Sequence, residues 1–329
     1  MPDYHDLHYQ MVVKRFVDGR VVPFLGAGVN LCGRPGGTTW KQGQYLPSGG
    51  ELATHLAENF SYTLPDKNDL LRVSQYVDIM LGSGTLYDEL HRLFDADYPP
   101  TPLHQFLAIL PARLREKGYP PRYQLIVTTN YDDVLECSFK SVKEPFDLVS
   151  YVAEGKREQL GKFWHWPPDG QPRMIEKPNE YFDLPFEQRG KDVILKRTAI
   201  LKIHGAIDRV NVDREKESFM ITEDHYIDYL THTDISNFLP VALASKLRSS
   251  HFLFLGYSLR DWNLRVILHR IWGDQTLNYQ SWAILLDPSE YDQKFWGRHK
   301  VDILNLRLED YVAGLNRHLH SLPSSGGGP

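Results

Sequence analysis

Cysteine is nearly absent from this chain. Cys32 and Cys137 are the only two in 329 residues, too few for a multi-bridge disulfide framework or a four-thiolate zinc site. Long apolar runs are missing too, with no stretch near the roughly 18 uninterrupted residues of a spanning helix. The opening segment, MPDYHDLHYQMVVKRF, has acids and histidines where a secretory leader needs a basic start and an apolar run. A reducing cytoplasm is therefore the expected location. There is no cationic excess: 37 Lys+Arg against 42 Asp+Glu leave a formal charge of −5. That balance gives no general reason to expect nucleic acid or an anionic membrane as partner. No GxxxxGK[ST] loop occurs, so nucleoside triphosphate hydrolysis is not indicated. Histidines are plentiful, 14 in all. The close pairs His5/His8 and His318/His320 nevertheless sit on terminal segments without a neighbouring ligand set, so they read as solvated and no metal is expected.

What is present is ordinary globular composition, 42% hydrophobic and 24% charged, in a chain long enough to bury a sizeable core unaided. Short runs rich in Val, Ile, Leu and Phe recur at Val21–Leu25, Leu125–Thr128, Ile200–Ile203, Phe252–Leu255, Trp282–Leu286 and Val301–Leu306. Continuous rather than alternating hydrophobicity marks strands buried on both faces of a parallel sheet. Helical patterns over Leu103–Lys117, Ile235–Arg248 and Leu259–Trp272 lie between them. The alternation predicts an α/β fold, a Rossmann-like parallel sheet with helices on both faces. One domain over residues 1–322 is expected, with a helical insert at about 48–117. There Ser48 and Glu51 have capping-box spacing, and Leu70, Val73, Val77, Met80 and Leu81 follow a helical period. A Pro- and aromatic-rich segment, about 146–197, reads as an ordered insertion of irregular structure. The tail, 323–329, is low-complexity and reads as flexible.

Ligands of open α/β sheets bind beyond the carboxyl ends of the strands, so the residues after each apolar run carry the functional information. Gly26-Ala27-Gly28-Val29-Asn30 follows the first, a small-residue turn through which backbone N–H groups can approach a pyrophosphate. Thr129-Asn130-Tyr131-Asp132-Asp133 follows the second. His204-Gly205 follows the third and Gly256-Tyr257-Ser258 the fourth. Each is ambiguous alone: Asp132 or Asp133 can be a helix cap, and Gly256-Tyr257-Ser258 can simply start a helix. Together they are predicted to share one sheet edge.

In this order the four clusters resemble the catalytic core of the sirtuins in the wide sense: the glycine motif, the Asn/Asp motif of the nicotinamide pocket, the His-Gly and the Gly-x-Ser. The resemblance spans about Val21 to Leu286. Two departures stand out. The paired CxxC motifs of protein-deacylating sirtuins are absent from residues 205–255, and LCGRPGGTTW replaces the Asp-Phe-Arg stretch. Both losses affect the parts that hold an acyl-lysine peptide. This pattern is similar to the zinc-free sirtuin-like NAD hydrolases of bacterial antiphage defence.

That resemblance implies cleavage of the nicotinamide–ribose bond of NAD+, with NAD+ as substrate and no cofactor or metal. It also implies homo-oligomers and a separate defence partner, such as a sensor, an Argonaute-like protein or an ATPase. Asn130 is expected to anchor carboxamide or ribose and orient a water. Asp132 is expected to bond the nicotinamide amide or stabilise the positive ribose, and His204 to act as general base in the range where imidazole titrates. Gly26, Ala27 and Gly28 would cradle the diphosphate, with Asn30, Thr129, Gly256, Tyr257 and Ser258 completing the dinucleotide site. Asp287, past a later strand, would accept from the adenosine ribose. The alternatives are a deacylase or ADP-ribosyltransferase, which begins with the same bond breaking, and a non-catalytic sensor of NAD or ADP-ribose. A Rossmann dehydrogenase fits poorly, because Leu31 stands where a third glycine is required.

Overall fold

The computed structural model describes residues 4–189, 192–210, 214–231, 239–258, 265, 268 and 279–325. Helix α1 (Tyr4–Val17) leads into β1 (Val21–Leu25) and a 3₁₀ turn (Ala27–Leu31). Four helices follow: α2 (Gly49–Asn59), α3 (Leu70–Leu81), α4 (Ser83–Phe94) and α5 (Pro102–Glu116). Next come β2 (Leu125–Thr128), α6 (Val134–Ser141), β3 (Phe146–Tyr151), β4 (Phe163–Trp166), β5 (Arg173–Ile175) and the hairpin β6 (Phe186–Arg189) and β7 (Asp192–Leu195). The second half carries β8 (Thr198–Lys202), β9 (Gly205–Ala206), β10 (Ser218–Phe219), α7 (Glu223–Thr231) and α8 (Val241–Arg248). It ends with β11 (His251–Leu255), β12 (Ser281–Leu285), α9 (Glu290–Arg298), β13 (Val301–Asn305) and α10 (Leu308–Ser321). The helix expected over Leu259–Trp272 lies almost wholly outside the described residues, as does the start of the one expected over Ile235–Arg248.

Nine strands form one sheet in the order β13-β12-β11-β1-β2-β8-β3-β4-β5. Every pairing from β13 to β3 is parallel, as the unbroken apolar runs predict. The reason is visible residue by residue. Val22 and Phe24, with Phe252 and Phe254, point into a core cluster that includes Leu243, Leu247 and Trp296. Val21, Leu25, Leu253 and Leu255 point into a second cluster with Tyr9, Phe16, Phe106 and Tyr311. A side chain standing on either face of the pleat must then be apolar. Pro23 lacks a ladder donor in this central strand, and β1 meets β2 only beyond it, at Phe24 and Leu25.

From β1 the chain moves out to β2 and β3, later inserts β8 between them, then returns to β11, β12 and β13 on the other side. This reversal at β1 is a topological switch point, which opens a crevice at the carboxyl ends of its neighbours.

Helices α2, α3 and α4 bury a core of their own, including Leu56, Val73, Val77, Leu86 and Leu90, against Tyr131, Ile207 and Phe219, while α5 packs into the second cluster through Leu103, Phe106 and Leu110. Met80 and Leu81, at helical spacing from Val73 and Val77, are solvent-exposed in the last turn of α3 before Gly82. Polar bonds tie the helical segment to the chain after β8. His91 pairs with Glu217 at 2.6 Å, the Tyr87 hydroxyl donates to Phe219 O, and Arg209 reaches Asp95, Asp97 and Asp133.

Residues 146–197 correct the expectation of irregular structure. β3, β4 and β5 extend the main sheet, the last two antiparallel. In β4, Phe163 and His165 face inward while Trp164 and Trp166 are half-exposed. His165 is buried between Asp147, which also binds Arg197, and the Tyr181 hydroxyl. The terminal histidines are a second correction. His8 is buried, bonded to the Tyr311 hydroxyl and edge-on to Trp282, and His318 stacks on Tyr9. Residues 323–325 at the start of the tail are engaged: Pro323 O accepts from the Tyr119 hydroxyl, and Ser325 N–H donates to Lys117 O.

Candidate functional site

A cavity of about 680 Å³ opens at the carboxyl edge of the sheet, within the usual size of a small-molecule site. Of the residues expected from the sequence, Ala27, Gly28, Asn30, Thr129, Asn130, Asp132, His204, Gly256, Tyr257 and Ser258 line it. Parallel topology is what gathers them, because β1, β2, β8 and β11 all end on this side.

Two expected residues lie elsewhere. Gly26 does not reach the cavity surface, and neither does Asp287, whose neighbour Leu286 does. The Asp287 backbone is left-handed, at φ 50°, and its N–H donates to the Asn305 side chain, as in a tight turn. Past β13, the residues on this side of the cavity are instead Arg307 and Glu309, paired with each other at 2.6 Å.

The glycine turn also departs from expectation. Gly26 N–H donates to Leu255 O and Gly28 N–H to Gly256 O, so neither is available to cradle a diphosphate. A Cβ on Gly28 would stand 2.6 Å from Gly256 O, and one on Gly256 would meet Val29 and Gly28. Gly256 itself is left-handed at φ 73°. These glycines are required because the loops after β1 and β11 touch backbone to backbone. The Tyr257 hydroxyl adds a 2.7 Å bond to the Thr129 hydroxyl, joining the loops after β11 and β2.

Asn130 closes β2. Its N–H donates to the Thr128 hydroxyl, while its side-chain Oδ1 is buried with no hydrogen-bond partner among the described residues. Asn30 shows the same feature: Nδ2 donates to Pro47 O at 2.9 Å and Oδ1 has no partner among the described residues. Unpaired buried acceptors are costly in a folded protein, so both amides are poised for a donor from within the cavity. Asp132 uses Oδ1 to accept Val134 N–H at the start of α6, the capping role open to it from sequence. Burial pushes its carboxyl up to about 6, against the pull of Lys202, with Glu136 adding to the rise.

His204 is buried at the end of β8, where Gly205 turns the chain at φ 88° into the β9–β10 hairpin. The Tyr226 hydroxyl approaches the imidazole at 3.3 Å from Nδ1, the two rings edge to face. Burial alone lowers the imidazole to about 3. It is therefore neutral across the physiological range rather than titrating within it, which corrects the expectation for a free general base. A neutral imidazole this weakly basic acts as a hydrogen-bond acceptor. It removes a proton only from a group that the reaction has itself made acidic.

Several lining residues carry no signal of a ligand site in the sequence. Pro47, Ser48, Gly49 and Gly50 bring the amino end of α2 to the cavity. The capping box of Ser48 and Glu51 forms as expected, and the Glu51 carboxylate also takes a two-bond fork from Arg34. Tyr226 comes from α7, inside the cysteine-free stretch between the His-Gly and Gly-x-Ser clusters.

Strand order and site together define an α/β protein of the Rossmann-like kind, with a crevice at the switch point of a parallel sheet. The profile of the SIR2-like domain family matches residues 124–304, more than half of the chain, and the chain belongs to that family. Two curated relatives are each named NAD(+) hydrolase ThsA. The one from Acinetobacter baumannii (strain 532279) is 26% identical over 263 residues, covering 79% of this chain and 41% of the relative. The one from Enterococcus faecium is 26% identical over 268 residues, covering 80% of this chain and 43% of the relative. The chain thus spans about two fifths of the length of these relatives. Among the described residues, no helix is long and apolar enough to cross a membrane.

Proposed function

We propose that this protein hydrolyses NAD+ at the bond between nicotinamide and ribose, yielding nicotinamide and ADP-ribose. The observation that carries the reading is the convergence of Asn130, Asp132 and His204 on one cavity, with the Asn130 carboxamide oxygen buried and without a partner among the described residues. Breaking an N-glycosidic bond develops positive charge on the ribose, as at sugar acetals generally. The pyridine leaves neutral and needs positioning more than protonation. Asp132, as a carboxylate, faces that positive charge or accepts from the nicotinamide amide. The Asn130 oxygen accepts from a ribose hydroxyl or the attacking water. His204, neutral and held beside Tyr226, takes a proton from a hydroxyl whose acidity rises as the ribosyl cation forms.

The wider role we propose is NAD+ depletion as the effector of a bacterial antiphage system, acting as a homo-oligomer with a separate partner protein. The names of the two relatives support NAD+ cleavage; the defence role rests on the resemblance of the zinc-free motif set. The decisive experiment is incubation with NAD+ and chromatography of the products, for wild type, Asn130→Ala and His204→Ala. Wild type should release nicotinamide and ADP-ribose, and each variant should lose at least 100-fold, about the contribution of a positioned base. Wild-type turnover by both variants would remove these residues from the mechanism. Acyl-lysine peptide as co-substrate separates a deacylase, and binding without turnover a sensor.

A further inference from the structure

Lys202 ends β8 two residues before His204 and is among the largest fully buried side chains. Burying an ammonium costs several kcal/mol unless it is paired and its donors are used. All three of its donors are engaged: one bonds Glu136 Oε1 at 2.8 Å, one Tyr131 O at 3.3 Å, and one, in a short contact, Asp132 O. Both carbonyls belong to the loop that presents Asn130 and Asp132. The same loop is held by Thr129 N–H to Leu25 O and by Ile207 N–H to Tyr131 O. Lys202 is the one cation among these contacts, and it stands on the strand that delivers His204.

We propose that Lys202 is the positioning residue of the site: it clamps the Asn130–Asp132 loop to the His204 strand and brings a buried positive charge to that loop. The positioning role rests on the function proposed above, whereas the effect on Asp132 can be read without turnover. The groups around Asp132 are Lys202 from β8, Glu136 and Asp133 from α6, and Tyr98 from the segment before α5, with His104 of α5 facing Lys202. Asp133 is itself engaged by Arg209. Lys202 is the largest influence opposing burial, and Glu136 acts in the opposite direction. Without Lys202 the carboxyl moves above its value of about 6 and loses charge near neutrality. Without Glu136 alone it moves down.

A lysine serving only as half of a buried ion pair could be replaced, together with its partner, by uncharged groups of similar volume at little cost. The test is therefore Lys202→Met/Glu136→Gln beside Lys202→Met, Glu136→Gln and Lys202→Arg, each checked by thermal unfolding. The first readout is a carbon-detected NMR titration of the Asp132 carboxyl, assigned with Asp132→Asn. Its midpoint should rise in the double variant and fall in Glu136→Gln. The second is the pH profile of kcat/KM for NAD+. A folded double variant should lose about tenfold near pH 7 for each pH unit its acid limb moves past neutrality and recover in alkali. Lys202→Arg, where it folds, should restore the limb. An unmoved Asp132 midpoint in a folded double variant overturns the proposal. A wild-type protein that leaves NAD+ intact overturns the function instead, and the NMR titration still decides the role of Lys202.

Discussion

A single methyl group added to Gly28 separates two explanations of the glycine turn. If the glycine exists so that a dinucleotide can approach, Gly28→Ala should spare the empty protein and weaken binding. The structure assigns the constraint to the protein itself. The new Cβ would stand 2.6 Å from Gly256 O, against about 3.5–4.0 Å for an unstrained contact, so one loop must retreat by roughly 1 Å. Overpacking of this kind costs about 1–3 kcal/mol, or about 2–12 °C in Tm at the 2–4 °C per kcal/mol of a large domain. Gly256→Ala should cost more, because its φ of 73° adds about 1–2 kcal/mol of left-handed strain to a collision with Val29. The double variant should be less destabilised than the two effects combined, because the first methyl already parts the loops; coupling of about 0.5–3 kcal/mol is usual for touching residues. Thermal unfolding without ligand gives the stabilities, and calorimetry with ADP-ribose gives the binding. A Gly28→Ala protein with unchanged Tm and abolished ADP-ribose binding would refute the interlock and return the glycine to the ligand.

The remaining predictions use other parts of the molecule. Burial lowers His8 and His104 to about 4 and His204 to about 3 from an ordinary 6.5. The unfolded chain therefore takes up protons that the fold refuses, and stability present above about pH 6.5 is lost as pH falls towards these values. Asp132, raised to about 6, has the opposite sign between about pH 4 and 6, which leaves a net difference of about two protons near pH 5. Chemical denaturation should then show stability falling by roughly 3 kcal/mol per pH unit there; a flat profile from pH 6 to about 4 would show that these imidazoles are not held neutral. Tyr226→Phe removes a hydroxyl from His204 and should lower kcat about two- to tenfold, the worth of one neutral hydrogen bond, with little change in Tm; unchanged kcat would make the contact incidental.

How much of this was legible beforehand depends on where each residue's partner lies. The sheet was readable because a strand buried on both faces must be apolar throughout, as Val21–Leu25 and His251–Leu255 nearly are. Parallel strands then carry whatever follows them to one edge, so Asn130, His204 and Ser258 could be grouped from the chain alone. β4 was hidden because its alternation, Phe163 and His165 inward against Trp164 and Trp166, lies beside a proline-rich stretch, and its histidine is satisfied by Asp147 and Tyr181 from other segments. Lys202, inside an apolar run, could not be recognised as a clamp, because its acceptors belong to the loop after β2 and to α6, some 66–71 residues earlier in the chain. The glycine turn carries the sharpest lesson. Its composition suits a phosphate as well as it suits another backbone, and only the position of Gly256 shows that the N–H groups of Gly26 and Gly28 are already spent. A motif at a strand end thus locates a site from sequence, while the assignment of its donors requires knowing which of them the protein has used on itself.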